Sequence, residues 1–224
     1  MTFTSLLSTT ARRAFKSAKI AASCLTLICL TALSPLAGSA QATPVVDQQN
    51  LGPASGNVGY GPNLSRGQSF TVGLNGALAG FEFFFNKSQQ FATGNAYLSV
   101  YSTDGGGAPD TLLGQVALAA SAVGTTHSLT YFDLTPLGIS VSVGDLMFAA
   151  LNADFSGGMH STQDLYAGGK DWACGPTFGI PCWSTEERFG VPDLVFRSHV
   201  LPEPGTLALL GLGIAGIGFT RRRR

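Results

Sequence analysis

A jelly-roll type of β-sandwich, hence an all-β fold, is predicted for the middle of this chain on three observations. Between residues 43 and 200 apolar side chains recur with a period of two, as in half-buried strands. The apolar runs are short and separated by Gly, Asn, Asp and Pro, the residues that turn a chain. No long 3.6-residue period appears in that stretch, so helices are not expected to build its core.

Each strand follows from its own pattern. A short one is predicted at 68–72. The clearest is 77–85, with Phe81, Phe83 and Phe85 on one face and Gly80, Glu82 and Phe84 on the other. At 95–101, Leu98 and Val100 alternate with Tyr97, Ser99 and Tyr101. Strands at 112–119, 127–134, 139–143 and 146–152 follow at short intervals, and 194–200 closes the set with Leu194 and Phe196 inward and Arg197 and His199 outward. Two stretches break the alternation and read as loops: 51–66, rich in Gly, Pro and Asn, and 155–170, with Gly157, Gly158, Gly168 and Gly169. There is no internal repeat of fixed length.

Charge is distributed unevenly. The formal net charge is zero, but the body at 43–200 has five basic residues (Arg66, Lys87, Lys170, Arg188, Arg197) against twelve acidic ones, a net charge of −7. It has no basic patch or stripe, which argues against nucleic-acid binding. The positive charge is at the ends. Arg12, Arg13, Lys16 and Lys19 precede a mostly apolar, uncharged run at 20–33, and Ala40-Gln41-Ala42 places small residues at the positions a signal peptidase reads. A signal peptide at 1–42 is therefore expected, with cleavage between Ala42 and Thr43; Gly38-Ser39-Ala40 offers a second site. Arg12-Arg13 resembles a twin-arginine signal, although ordinary signal peptides also carry such pairs. Ala21-Ala22-Ser23-Cys24 precedes any long apolar run, so lipidation there is rejected.

Cys24 and Cys29 would leave with the signal peptide, and Cys174 and Cys182 remain. In an oxidising compartment this pair is expected to close a small disulfide loop. A metal site there lacks partners, and no metal or cofactor is expected elsewhere. In the Asp104 to Asp110 loop the two carboxylates fall short of the six to eight oxygens that calcium takes. A flexible connection is the favoured reading, with calcium the alternative. The loop also lacks the lysine and the following helix of a phosphate-binding loop.

Catalytic sets are sparse. His127, His160 and His199 are the only histidines, no Gly-x-Ser-x-Gly elbow is present, and the adjacent Glu186 and Glu187 would point to opposite faces of a strand. A distant pair such as Glu82 with Asp133 is not selected by any pattern. No catalytic residue is assigned, and a secreted hydrolase is the third reading. The aromatic group Tyr166, Trp172 and Trp183 admits two readings. Trp172 and Trp183 flank the cysteine loop and pack over it as a minor core, the favoured reading, or all three rings present flat faces to sugars.

At the C-terminus, Leu201-Pro202-Glu203-Pro204 leads into an uncharged run at 205–220 and then Arg221, Arg222, Arg223 and Arg224. Sixteen residues span roughly 24 Å as a helix, short of a hydrocarbon core of roughly 30 Å. Gly205, Gly211, Gly213, Gly216 and Gly218 weaken that helix further. The four arginines hold the terminus on the cytoplasmic side of the membrane. A short sorting helix that pauses in the membrane and is then cut away fits better than a permanent anchor.

These three parts in this order resemble the sorting tail of PEP-CTERM proteins, exported by many Gram-negative bacteria. The resemblance implies recognition of Pro202, Glu203 and Pro204 by an exosortase, a membrane-embedded processing enzyme, with transient residence in the inner membrane. The body is similar to choice-of-anchor domains through Gln68-Ser69-Phe70-Thr71, Leu98-Ser99-Val100-Tyr101 with Gly-Gly-Ala-Pro at 106–109, and Asp193-Leu194-Val195-Phe196-Arg197. By this likeness the chain is expected to be a non-catalytic protein of the cell surface or extracellular matrix, associated with exopolysaccharide. The alternative is a carbohydrate-binding module using Tyr166, Trp172 and Trp183. The implied division is signal peptide 1–42, β-sandwich 43–200 and sorting signal 201–224.

Overall fold

The computed structural model describes residues 43–163, 166–176, 180–185 and 193–203. The expected signal peptide with Ala42, Glu186, Glu187, Arg188 and the tail from Pro204 to Arg224 lie outside the described residues. Among those described, fourteen strands and two single-turn 3-10 helices form two antiparallel sheets, and the predicted all-β sandwich is observed.

In the first sheet the strands β1 (Val45–Asn50), β14 (Phe196–Pro202), β4 (Gly76–Lys87), β10 (Gly157–Thr162) and β13 (Asp193–Leu194) lie in that order. It also holds β2 (Gly56–Tyr60) against β10, and β7 (Ser128–Asp133) and β8 (Ser140–Val141) against β4. The second sheet runs β12 (Ile180–Thr185), β11 (Asp171–Gly175), β3 (Ser65–Thr71), β9 (Leu146–Ala153), β5 (Asn95–Thr103) and β6 (Pro109–Ala119). Successive strands repeatedly change sheet, as from β3 to β4 to β5 and from β8 to β9 to β10. That crossing gives the sandwich its jelly-roll character.

Strand β4 shows how the alternation becomes a core. Phe81, Phe83 and Phe85 are fully buried, as their spacing predicts. Leu78 is also fully buried although its parity is opposite. The register explains this. Leu78 pairs with Val200 and Gly80 with His199, so Ala79 is an extra residue in a bulge that switches the inward face. The bulged Ala79 carbonyl accepts hydrogen bonds from the Leu134 N–H at 3.0 Å and the Tyr131 hydroxyl at 3.1 Å. Phe81 is central to the aromatic packing: its ring centroid lies 4.8 Å from Phe83, 5.3 Å from Phe70 and 5.5 Å from Phe196, the last nearly parallel. Each such buried ring contributes about 1.5–3 kcal/mol by transfer from water. From the second sheet, Phe70, Leu98, Val100, Ala149 and Leu151 meet this layer.

One end of the sandwich is closed by polar groups. Gln68 on β3 donates to Asp193 Oδ1 (2.8 Å) and accepts from the Leu194 N–H (2.8 Å), joining the two sheets. Asn50 donates to Thr162 Oγ1 (2.8 Å) and to the Leu194 carbonyl (3.0 Å). All of these groups are buried, so each hydrogen bond averts a desolvation cost.

The observed strands extend the predicted ones at several places. Two stretches predicted as loops carry strands: β2 lies within 51–66, and β10 within 155–170. In β10 the glycines are a packing requirement. A Cβ on Gly157 would come 2.0 Å from the Asn86 carbonyl oxygen and 2.5 Å from the Tyr60 hydroxyl. Such close approach is open only to glycine, and the same residue type reads as a breaker in a sequence pattern. The last strand continues through Leu201 and Pro202, which pair with Ala77 and Gly76.

Candidate functional site

The residues singled out from the sequence are dispersed over the fold. Cys174 on β11 and Cys182 on β12 are joined by a disulfide, which ties the edge strand β12 to its neighbour. Pro202 ends β14, and Glu203 follows it exposed to solvent. Tyr166 is a pin in the core. Its ring stands edge-on to Phe196 at 5.1 Å, and its hydroxyl accepts from the Thr71 N–H at 3.1 Å. Burial pushes this phenol up to about 12. Trp172 is half-buried beside the 104–110 loop, where a Cβ on Gly107 would lie 3.8 Å from its Cζ2. No ring contact joins Tyr166, Trp172 and Trp183 to one another, so the structure does not gather these three as one platform.

Trp183 belongs to a different group, which the sequence reading did not assemble. From the edge strand β12 its indole reaches across to Phe148 on β9, with centroids 5.0 Å apart, and to Tyr101 on β5 at 6.3 Å. Phe148 is fully buried although it faces away from the main core, because Trp183 and Tyr101 cover it. Trp183 is the one non-glycine residue with a positive φ (56°) among the described residues. An L-residue is held there only where its surroundings over-determine it, and Cys182 beside it is fixed by the disulfide.

The outer face of the second sheet is shaped by register. Gln115, Ser99, Ala150 and Gly67 lie side by side on β6, β5, β9 and β3, forming a row of small side chains with one amide at its end. Above it stand Tyr101 and Phe148; below it stand Tyr97 and Asn152, with Asn152 donating to Ser65 Oγ at 2.9 Å. A low row between two tall rows makes a trough that crosses the strands. The Phe148 ring lies over Gly67, where a Cβ would meet its Cζ at 2.2 Å, and closes the trough toward β3. The cavity has about 240 Å³ and is lined by Ser65, Tyr97, Ser99, Tyr101, Gln115, Ala150, Asn152 and Trp183. None of these side chains is charged.

Its polar groups are only partly used by the protein. Gln115 donates to Ser99 Oγ (2.8 Å), which orients the amide and leaves its oxygen without a partner among the described residues. Asn152 Nδ2 is committed to Ser65 and to the Gly61 carbonyl (3.3 Å), and its Oδ1 is likewise left open. Tyr97 donates to Asp154 Oδ2 at 3.0 Å, while the Tyr101 hydroxyl has no partner among the described residues.

The outer face of the first sheet carries the titratable groups. Glu82 accepts from His199 at 3.0 Å and lies 3.7 Å from the Arg197 guanidinium, with Tyr131 edge-on to the His199 ring. Asp133, two residues along the same strand pair, holds the Thr135 N–H and hydroxyl (3.0 and 2.6 Å), and these bonds keep its carboxyl below the usual range. His127 and His160 stack at 4.0 Å beside Phe84. Burial, with the neighbouring His160 charge, lowers the His127 pKa. In the loop after β5, the Asp104 carboxylate accepts from the Gly106 and Ala108 N–H groups (2.9 and 3.2 Å) and so fastens its own turn. No group of three His, Cys, Asp or Glu side chains with metal-binding proximity occurs among the described residues.

Comparison with known proteins bears on the C-terminus. Residues 200–224 match a family model described as the PEP-CTERM protein-sorting motif. No curated protein matches the chain. The chain thus carries a sorting motif of this type, which implies export, processing by exosortase at a membrane and delivery to the surface.

Proposed function

We propose that this chain is exported cargo whose sorting tail is removed by exosortase and whose sandwich then serves, without catalysis, at the surface or in the polysaccharide matrix of a Gram-negative cell. The sorting motif at 200–224 is the observation that carries this reading. Its apolar span is short for a lasting anchor, and it ends in four arginines that retain the terminus inside. The division into signal peptide 1–42, body 43–200 and sorting signal 201–224 belongs to the same proposal, with cleavage after Ala42. Pairing of Pro202 with Gly76 favours removal of the tail beyond Pro202, so that β14 keeps its full length.

The non-catalytic part of the proposal is supported by how the carboxylates are used. Glu82 is engaged by His199 and Arg197, and Asp133 by Thr135, so both act as structural acceptors. The net charge of −7 on the body suits a soluble extracellular protein.

Intact-mass measurement of the protein recovered outside its native cells tests the processing. The expected species begins at Thr43 and lacks Arg221 to Arg224. Recovery of the full-length terminus from a host with an active exosortase would overturn the reading. Co-sedimentation of the same protein with the host's extracellular polysaccharide tests the matrix role, and its absence from that fraction would remove it.

A further inference from the structure

The trough on the outer face of the second sheet, we infer, binds the sugar units of a neutral polysaccharide. The site joins three features that a pyranose ring requires. Trp183 and Tyr101 provide aromatic surface at one side, onto which the C–H face of a sugar packs. Gln115 and Asn152 offer side-chain oxygens without partners among the described residues, placed to accept from sugar hydroxyls, and the Tyr101 hydroxyl is likewise open to donate or accept. The small side chains of Ser99 and Ala150 leave room for the ring to sit down between the Tyr101 row and the Tyr97 and Asn152 row.

Charge selects the class of sugar. No charged side chain among the described residues lines the trough, and the body carries −7. A uronate, phosphate or sulfate would meet no cation among the described lining residues and an unfavourable field outside them. A neutral hexose or pentose chain meets neither cost. A volume of about 240 Å³ is below the roughly 300–1,000 Å³ of pockets for drug-sized ligands. The trough therefore takes a unit or two of a longer chain. It is open at the Gln115 end, on the edge strand β6, so a polymer can continue past it.

Pre-organisation separates this trough from an ordinary surface furrow. The Gln115 amide is oriented by Ser99, the Asn152 amide by Ser65 and Gly61, and Trp183 is held at positive φ next to a disulfide. Side chains fixed before binding lose little entropy when a ligand arrives.

The test is affinity electrophoresis of the 43–203 protein in gels containing neutral polysaccharides (a β-1,3-glucan, xyloglucan, galactomannan, starch) or the polyanions alginate and hyaluronate. Retardation by at least one neutral polymer is expected, with little by the polyanions. Trp183→Ala is expected to weaken it by about tenfold or more, the scale of losing an aromatic anchor. Gln115→Ala, on an edge strand and harmless to folding, weakens it about threefold or more. Glu82→Gln on the opposite sheet leaves it unchanged. Loss of binding in Trp183→Ala counts only with an unchanged melting temperature; otherwise Gln115→Ala decides. Failure of every neutral polymer to retard the parent protein overturns the inference, as does retardation indifferent to Gln115→Ala. The inference rests on the matrix reading only for where the sugar is met. Binding of host polysaccharide that ignores the trough substitutions sinks the trough alone; trough-dependent binding of neutral glucans without co-sedimentation sinks the matrix role alone.

Discussion

The two outer faces of this sandwich are built by the same alternation and spend their polar groups differently. On the first sheet Glu82, His199 and Arg197 engage one another, and His127 stacks on His160. On the second sheet Gln115 and Asn152 each have one half of the amide held by the protein and the other half open. The lesson is that titratable residues do not by themselves mark the working face. Here Glu82, His199 and Arg197 face one another, with only the Arg197 Nε left over, while the neutral aromatic–amide face leaves two amide oxygens open among the described residues.

The comparison breaks most severely if the shared core is removed. Phe81→Ala deletes the ring that meets Phe70, Phe83 and Phe196, and is expected to cost about 3–5 kcal/mol in urea denaturation. Both faces would then fail together, because both are displayed on strands whose inward side chains pack here. A cost below about 1 kcal/mol would show that the aromatic layer is not the common support.

Next in size is the polar tie between the sheets. Gln68→Leu removes the donor to Asp193 Oδ1 and takes the acceptor from the Leu194 N–H, and a loss of about 1–3 kcal/mol is expected by thermal denaturation. Wild-type stability in this variant would mean that water replaces the glutamine and that the tie is dispensable.

Smaller effects distinguish the faces themselves. Glu82→Gln exchanges a charged acceptor for a neutral one against His199, with about 1 kcal/mol of stability lost. Smallest is the pH response of His127. Its folded pKa lies below the unfolded value near 6.5, so the unfolded chain binds the proton more readily. The contribution is complete above about pH 6.5 and is lost as pH falls through the folded pKa. His160 and Phe84, stacked on it, Asn57, hydrogen-bonded at 3.3 Å, and the Gly158 backbone face it, and of these only His160 titrates. His127→Gln is therefore expected to flatten the fall in melting temperature as pH drops below about 6.5. An unchanged slope would reject His127 as its source.

Much of the fold was legible where a strand carries large alternating side chains. Phe81, Phe83 and Phe85, and likewise Leu98 and Val100, are buried as their period predicts, because one side of each strand has nowhere else to go. Legibility failed where packing is made by small residues. In β10 Gly157 is required where the Asn86 carbonyl comes close, and that glycine, like Gly56 and Gly59 of β2, looks like a turn in the sequence. The bulge at Ala79 is set by the partner strand and leaves no mark in the local pattern.

The candidate site was half legible. Trp183 stands out as a large ring beside a cysteine, but its partners Tyr101, Gln115, Ala150 and Asn152 come from three other strands. Only register places Ser99 beside Ala150 and Gln115, and register is not written in any one segment. Tyr166, as conspicuous as Trp183 in the sequence, packs against Phe196 instead. The sorting tail needed no structure, since its meaning lies in linear order.

Amide chemical-shift mapping of the 43–203 protein titrated with a neutral oligosaccharide tests most directly whether the second sheet is the working face. Shifts confined to Tyr97, Ser99, Tyr101, Gln115, Asn152 and Trp183 are predicted. Shifts centred on Phe84, Leu129 and His160 of the first sheet, or none at saturating sugar, would contradict it.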